Sequence, residues 1–201
     1  MAKLLYIDAC IREESSRTRA LAKAYLDAYR AAHPQDTIET VNLSRTALRP
    51  LDFAALQARE TALGSWDDAQ FVLARQLRCA DRIVIAAPLW NGTFPAALHV
   101  YFEHVCIAGL TFNCSGDRYE GLCRACECVF LTTRGGVYET GTPQLTEEAA
   151  PFLKSLMTML GVPRVRVIAA EGLDLAGNDA QTLLDVAKKE AAQAAHGVSQ
   201  K

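Results

Sequence analysis

Three loops rich in hydroxyl, amide and glycine residues follow apolar runs of the chain. The first runs from Cys10 to Ser16-Arg17-Thr18, where a helix begins. Backbone amides and the macrodipole at a helix start favour an anion, and the two hydroxyls and the arginine add donors. This loop therefore indicates a phosphate site. The alternative is that a serine here serves only as a helix cap, with no ligand.

The second loop reads Pro88-Leu89-Trp90-Asn91-Gly92 and follows the apolar residues 83–87. A flat aromatic ligand with one polar edge, such as a flavin ring, needs apolar contact on its faces and hydrogen-bond donors at its edge. Leu89 and Trp90 offer the contact, and Asn91 with neighbouring amides offers the donors. The alternative is that Trp90 only packs the loop onto the protein.

The third loop reads Thr133-Arg134-Gly135-Gly136-Val137-Tyr138. Paired glycines let the backbone approach a planar ligand at a distance that side chains would prevent. Taken alone, a Gly-Gly pair is an ordinary turn. Its meaning depends on whether it lies beside the other two loops.

The elements that must position these loops can be predicted from the pattern of apolar residues. Residues 4–7, 83–87 and 129–131 are almost continuously apolar, which is typical of strands buried in the middle of a parallel sheet. Residues 38–43 and 164–168 mix polar with apolar residues and predict edge strands. Helical spacing between these segments predicts an α/β fold: a doubly wound, parallel five-stranded sheet of order 2-1-3-4-5 with helices on both faces.

Local signals mark the ends of several elements. Pro151 suits the first turn of a helix, Gly161 suits a left-handed cap at its end, and Asn178 is the predicted cap of the last helix. Residues 44–68 and about 108–127 predict long connections, which are usually lids or binding loops, with a surface excursion of no function as the alternative. We expect a single domain over residues 1–201.

The fold places the three loops together. In such a sheet a ligand binds beyond the carboxyl ends of the strands, beside the point where strand order reverses, here between strands 1 and 3. The chain has neither G-x-G-x-x-G after strand 1 nor G-x-x-x-x-G-K-[ST], which argues against a nicotinamide Rossmann enzyme and a P-loop NTPase. A terminal monophosphate, as on FMN, needs only a short hydroxyl-rich loop.

Composition excludes several classes of partner. With 21 basic and 23 acidic residues the chain lacks the basic excess of a nucleic-acid-binding protein. No apolar run approaches the roughly 20 residues of a membrane span, and the first charge after Leu4-Leu5-Tyr6-Ile7 comes too early for a signal peptide, so a cytoplasmic protein is expected.

The cysteines form the other feature that could carry chemistry. Seven cysteines, an odd number, predict reduced thiols and no disulfide framework. The dense cluster Cys114, Cys123, Cys126 and Cys128 raises the alternative of a metal or iron–sulfur site. We expect no metal, because Cys128 opens an apolar strand and no second cysteine pair completes a site of four ligands.

Five segments of the chain occur in an order that is typical of one family. They are Pro88-Leu89-Trp90-Asn91, Pro95-Ala96-Ala97-Leu98-His99-Val100-Tyr101-Phe102, Ala108-Gly109-Leu110-Thr111-Phe112, Tyr119-Glu120-Gly121-Leu122 and Arg134-Gly135-Gly136. Together they resemble the FMN-dependent NADH azoreductases, which belong to the flavodoxin-like quinone reductases. The resemblance implies a homodimer with FMN near the subunit interface, passing electrons from NADH or NADPH to quinones or azo compounds by ping-pong turnover. The chemistry would then belong to the flavin, and no catalytic side chain is assigned.

The resemblance also assigns residues to the cofactor. Cys10 stands where the family commonly has Ser, Tyr138 where it often has His, and Gly92 where a Phe or Leu usually packs beside the ring, so one side of the pocket should be more open. The predicted cofactor residues are Cys10, Ser16, Arg17, Thr18, Pro88, Leu89, Trp90, Asn91, Gly92, Thr133, Arg134, Gly135, Gly136 and Tyr138. Phe112 and Tyr119, on the long loop, are candidates for the substrate pocket or a dimer contact.

Two other functions remain open on the sequence. One is an electron-transfer module that receives electrons from a protein partner and has negligible activity with free NADH or NADPH. The other is a flavin-binding redox sensor that acts through the cysteine cluster. The near-neutral charge argues against the carrier, and reactive or metal-bound thiols would be needed for the sensor.

Overall fold

The computed structural model describes residues 1–138 and 145–197. Its centre is a parallel five-stranded sheet in the order β2-β1-β3-β6-β7, and a separate antiparallel pair, β4-β5, lies outside it. The strands are β1 Lys3–Asp8, β2 Thr37–Asn42, β3 Arg82–Ala86, β4 Phe112–Ser115, β5 Arg118–Gly121, β6 Cys128–Thr133 and β7 Val165–Ala170. Counted within the sheet, this order is the predicted 2-1-3-4-5, and the prediction is confirmed.

Helices connect successive strands of the sheet. They are α1 Arg17–Ala32, α2 Phe53–Ala62, α3 Val72–Cys79, α4 Ala96–Val105, α5 Ala149–Met159 and α6 Ala180–His196. Within the described residues, no helix is both long enough and apolar enough to cross a lipid bilayer.

Alternate residues of the central strands face two separate cores. On β1, Leu4 and Tyr6 pack into the core that α1 and α6 cover, whereas Leu5 and Ile7 pack into the core on the side of α3, α4 and α5. Because both faces are covered, the strand is apolar at nearly every position. The edge strand β2 buries only Val41, which explains its mixed composition.

The two predicted long connections contain regular structure. Residues 44–68 include α2, which buries none of its residues and so carries no apolar stripe. Residues 108–127 include the β4-β5 hairpin, whose strands are almost wholly exposed. Both were predicted as loops because periodicity reveals only elements that bury one face.

End signals were confirmed at two positions and wrong at one. Pro151 lies in the first turn of α5, and Gly161 adopts a φ of 88° just after its end. The cap of α6 is Asp179, which accepts from the amides of Gln181 and Thr182. Asn178, the predicted cap, instead donates its amide to the carbonyl of Gly172 at 2.8 Å.

Candidate cofactor site

One crevice opens at the carboxyl edge of the sheet, where the loops after β1, β3, β6 and β7 meet. Eight of the predicted cofactor residues line it, together with three that were not predicted. The lining is Arg12, Ser15, Ser16, Arg17, Thr18, Pro88, Leu89, Trp90, Thr133, Gly135 and Asp174.

The start of α1 supplies free amides to this crevice. Ser16 is the cap: its carbonyl accepts from Ala20 at 3.0 Å, and its hydroxyl accepts from the amide of Arg19 at 3.3 Å. This bond from Ala20 is the first of the helix, so the helix offers no acceptor to the amides of Arg17 and Thr18. Ser16 therefore caps the helix, which was the alternative to a phosphate role for this loop. The amides of Arg17 and Thr18 still remain as donors for an anion.

Ion pairs hold the first loop in a strained shape. Glu13 has a φ of 47°, which side chains rarely adopt, and its carboxylate lies 3.3 Å from the guanidinium of Arg45. Arg45 holds the pKa of Glu13 below its usual value. Arg19 lies 2.8 Å from Glu14 and 3.0 Å from the buried Asp8. The loop is thus tied to the end of β1 and to the loop after β2.

Cys10 lies behind the crevice and not in its lining. Its thiol is buried and donates to the carbonyl of Ala86 at 3.6 Å, and its amide donates to Asp8 at 3.0 Å. Burial, with the Asp8 carboxylate nearby, raises the pKa of this thiol well above its usual range. The side chain of Cys10, a predicted cofactor residue, therefore does not face the crevice. Cys10 supports the loop from behind.

The second loop is a tight two-residue turn. The backbones of Trp90 and Thr93 bond to each other in both directions, at 2.7 and 3.0 Å, and Asn91 and Gly92 between them have φ values of 52° and 78°. Positive φ at both central positions is what a type I′ turn requires, and Asn-Gly is its strongest sequence signal. The turn projects Trp90 into the crevice with 37% of its surface exposed.

The expected opening beside Gly92 is wrong. Gly92 is buried, and a Cβ there would lie 2.7 Å from the carbonyl of Thr146 and 3.2 Å from the side chain of Leu145. The carbonyl of Gly92 also accepts from the amide of Glu148 at 2.7 Å. The segment before α5 therefore fills the space that a larger side chain would occupy.

The third loop is held by the loop after β7. The carbonyls of Arg134, Gly135 and Gly136 accept from Leu173, Asp174 and Gly172 at 3.2, 3.0 and 2.9 Å. In a trans peptide the N–H points opposite to the preceding carbonyl, so the amides of Gly135 and Gly136 point away from the loop after β7. Of the two residues, Gly135 lines the crevice, so its amide offers a polar edge to a ligand.

Arg134, predicted as a cofactor residue of the third loop, does not point its side chain into the crevice. Its guanidinium is buried and lies 2.6 Å from Glu171 and 3.4 Å from Glu147, the latter at the start of α5. Glu171 also accepts from the amide of Tyr138 at 3.4 Å. Arg134 and Tyr138 therefore fix the course of the third loop. Asn91, Gly92 and Gly136 likewise shape their loops without joining the lining.

Contacts between the loops make the crevice one unit. The hydroxyls of Thr18 and Thr133 lie 2.6 Å apart and fully inside the protein, which joins the first loop to the third. The amide of Leu89 donates to the carbonyl of Thr133 at 3.0 Å, which joins the second loop to the third. The Thr18 hydroxyl, predicted to contact a phosphate, is engaged in this link.

The loop after β7 was missed in the sequence analysis. Asp174 from this loop lines the crevice, and its carboxylate lies 2.8 Å from the guanidinium of Arg17. The rule that placed the other loops, that all carboxyl ends of a parallel sheet share one edge, applies to this strand equally. Arg12 and Ser15 belong to the first loop but were not assigned, because the resemblance matched only Ser16, Arg17 and Thr18 to the phosphate.

Phe112 and Tyr119, the candidate substrate residues, lie together but outside the crevice. Their ring centres are 5.9 Å apart on the β4-β5 hairpin. Tyr119 is 60% exposed and lines a shallow surface pocket with apolar side chains of α5, namely Phe152, Leu156 and Met159. The structure therefore leaves them as candidates for a surface contact.

The clustered thiols do not converge. Cys114, Cys123 and Cys126 each face a different backbone carbonyl, those of Gly116, Thr111 and Asp81, and Cys128 is buried in the core. Burial raises the pKa of both Cys106 and Cys123 to about 12. Among residues 1–138 and 145–197, no group of three or more His, Cys, Asp or Glu side chains is arranged to hold a metal ion.

Comparison with known proteins gives consistent relatives over the whole chain. A protein named FMN-dependent NADH:quinone oxidoreductase 2 from Clostridium acetobutylicum is 33% identical over 186 residues, covering 92% of this chain and 93% of that protein. One named FMN-dependent NADH:quinone oxidoreductase from Caldicellulosiruptor bescii is 33% identical and covers 98% of this chain and 100% of its own length. The crystal structure of an azoreductase from Bacillus anthracis superposes with a TM-score of 0.88 at 28% identity, over 98% of this chain and 100% of that one.

A family model described as Flavodoxin-like fold, Flavodoxin_2, matches residues 2–195. The match spans every strand of the sheet and all four loops of the crevice. The chain belongs to this flavodoxin-like family.

Proposed function

We propose that this protein is an FMN-dependent oxidoreductase that transfers electrons from NADH or NADPH to quinones or azo compounds. The observation that carries the proposal is the convergence, in one crevice, of a helix start, an apolar wall and a glycine edge. The names of full-length relatives at 33% identity support the same activity.

The crevice fits the phosphate end of FMN. The amides of Arg17 and Thr18 are without helical partners, and the Arg17 guanidinium lies in the same lining. This donor set is cationic and dipolar, as a phosphate monoester requires. The Ser15 hydroxyl already donates to the carbonyl of Arg12 at 2.8 Å, so the residues that would hold the phosphate are Ser16, Arg17 and Thr18.

The crevice also fits the ring end. Pro88, Leu89 and Trp90 form its apolar wall, and the Gly135 amide forms a polar edge. A Cβ at Gly135 would lie 2.5 Å from the terminal carboxylate oxygen of Asp174, so the glycine leaves the room that this carboxylate occupies beside the crevice. Because Gly135 has no side chain, its backbone can approach a planar ring closely.

The protein's own groups bind and orient, and the redox chemistry would be the cofactor's. When bound, FMN supplies the capacity to accept a hydride and to pass it on. Trp90 excludes water from one wall, and the Gly135 edge orients polar atoms. His99 stacks on Phe94 with ring centres 4.4 Å apart and is a packing residue, so no side chain is assigned to proton transfer. A single open crevice suits a ping-pong order, in which donor and acceptor enter in turn.

We also propose that each chain forms a single domain, residues 1–201, and that the protein is a homodimer. The surface formed by Tyr119, Phe152, Leu156 and Met159 is apolar, and Phe152 is 43% exposed at the edge of an aromatic cluster. Exposed apolar side chains in such a patch mark interaction sites. A second copy of the chain would bind at this surface and contact Tyr119.

Seven unpaired thiols fit a reducing compartment, which supports a cytosolic location. The redox-sensor alternative is disfavoured because burial raises the pKa of Cys123 and Cys128, two thiols of the cluster, and a protonated thiol is a poor nucleophile.

The test is to purify the protein, release its cofactor by heat, and identify it by mass. We expect FMN. The loaded protein is then mixed anaerobically with NADH or NADPH, and the flavin absorbance should fall on the timescale of turnover. A protein that takes up no FMN would overturn the proposal. A protein that holds FMN but is reduced by neither nicotinamide would be a carrier.

A further inference from the structure

Asp174 occupies a fixed position at the phosphate end of the crevice. Its loop is bonded to the third loop through the amides of Gly172, Leu173 and Asp174 itself. A hydrogen bond of 2.8 Å from Asn178 to the carbonyl of Gly172 closes the far side of the same loop. The position of its backbone is therefore set by the fold.

The side chain of Asp174 engages the cation that a phosphate would use. Its Oδ1 accepts from Nη2 of Arg17 at 2.8 Å, and the neighbouring carbonyl of Leu173 accepts from Nη1 at 3.3 Å. Two of the three guanidinium nitrogens thus already have acceptors on the loop after β7. The other carboxylate oxygen of Asp174 lies beside Gly135.

We propose that Asp174 lowers the affinity of this site for the phosphate of FMN, because carboxylate and phosphate compete for the guanidinium of Arg17. The inference rests on the proposed function. A phosphate monoester carries between one and two negative charges at neutral pH, so it meets a partly neutralised arginine and a nearby carboxylate of like sign. A flavin without phosphate would meet neither effect. Asp174 therefore sets how strongly the site discriminates a phosphorylated flavin from a neutral one.

The expected size of the effect is modest. The Asp174 side chain is 65% exposed and that of Arg17 is 38% exposed, so solvent screens the pair. Removing the charge should tighten FMN binding about fivefold, the upper range for an exposed ion pair.

The test measures dissociation constants of FMN and of riboflavin, which lacks the phosphate, by quenching of flavin fluorescence in the stripped protein. The variants are Asp174→Asn, which keeps the shape and removes the charge, and Asp67→Asn, an exposed aspartate outside the crevice, as the matched control. Competition by inorganic phosphate provides a second measure. We expect Asp174→Asn alone to bind FMN about fivefold more tightly, with stronger phosphate competition and unchanged riboflavin affinity.

The outcomes separate this inference from the proposed function. If wild-type protein binds FMN and Asp174→Asn binds it equally or more weakly, Asp174 orients Arg17 or is neutral, and the inference is overturned while the function stands. An equal gain for FMN and riboflavin would also overturn it, because the effect would not lie at the phosphate. If wild-type protein binds no FMN, both fail.

Discussion

The crevice and the cysteine-rich segment, residues 114–128, both bring together residue types that can carry chemistry. The crevice does so in space and the cysteine-rich segment along the chain, and only the crevice forms a candidate site. Residues of the crevice come from four loops that are distant in sequence, and their polar groups face a common space. The cysteines are close in sequence, yet the thiols of Cys114, Cys123 and Cys126 face different carbonyls. Convergence at a sheet edge is a stronger indication of function than density along the chain.

The largest expected effect tests whether the cysteine-rich segment is structural. A Cβ at Gly121 would lie 1.9 Å from the backbone nitrogen of Gly161, so Gly121→Ala must separate the hairpin from the end of α5. We expect a loss of about 3 kcal/mol in the free energy of unfolding, measured by urea denaturation. Ser115→Ala, exposed on the same hairpin, is the control and should change little. Wild-type stability in Gly121→Ala would mean that the hairpin is not docked as described.

The second prediction asks which glycine of the third loop faces the cofactor. Gly135 lines the crevice, whereas a Cβ on Gly136 would meet only the Tyr138 ring at an ordinary 3.5 Å. Gly135→Val should weaken FMN binding about thirtyfold through crowding, and Gly136→Val should have a much smaller effect. Titration of the stripped proteins with FMN distinguishes them. Equal losses would show that both glycines contact the ring, and no loss in either would remove the third loop from the site.

A third prediction compares arginines in the two regions. Arg17→Gln should weaken FMN binding about fivefold and leave riboflavin binding unchanged, because Asp174 already neutralises part of that charge. Arg118→Gln, on the exposed hairpin, makes the same change in net charge and should alter neither constant. A loss in both variants would indicate attraction by overall charge and not by the site.

The smallest expected effect concerns the thiols. With a pKa of about 12, Cys106 and Cys123 have about one part in ten thousand as thiolate at pH 8, so they should resist alkylation in the native protein. The exposed Cys79 and Cys114 should react first, with FMN affinity unchanged. Mass mapping after timed iodoacetamide treatment measures this, and denatured protein provides the full-reaction control. Rapid modification of Cys123 would instead support the hypothesis that the protein is a redox sensor.

Much of the fold was predictable because burial on two faces requires a continuous run of apolar residues, which is visible in the sequence. The central strands are continuously apolar since α1 and α6 cover one side and α3, α4 and α5 the other. By contrast, α2 and the β4-β5 hairpin bury almost none of their residues. Their sequences therefore show no apolar periodicity from which these elements could be predicted.

The site was predictable by loop but not by side chain. Eight of the predicted residues line the crevice, yet Arg134 pairs with two glutamates and the Thr18 hydroxyl pairs with Thr133. Residue type cannot tell a ligand contact from an internal one, because an arginine or a threonine serves both equally well. Asn91 was predicted to donate to the ligand, whereas Asn91 and Gly92 form the tight turn that presents Trp90.

The sequence alone determined the sheet order, the edge at which the loops meet and the family resemblance, because these follow from apolar patterning and local segments. Only the tertiary structure decided what lies opposite each loop. It placed Leu145 and Thr146 against Gly92, and it placed Asp174 against Arg17 although 157 positions separate them in the chain. Such contacts depend on the packing of distant segments, and no local pattern records them. The loop of Trp90 and Asn91 is therefore one wall of a crevice whose charge is set by the loop after the last strand.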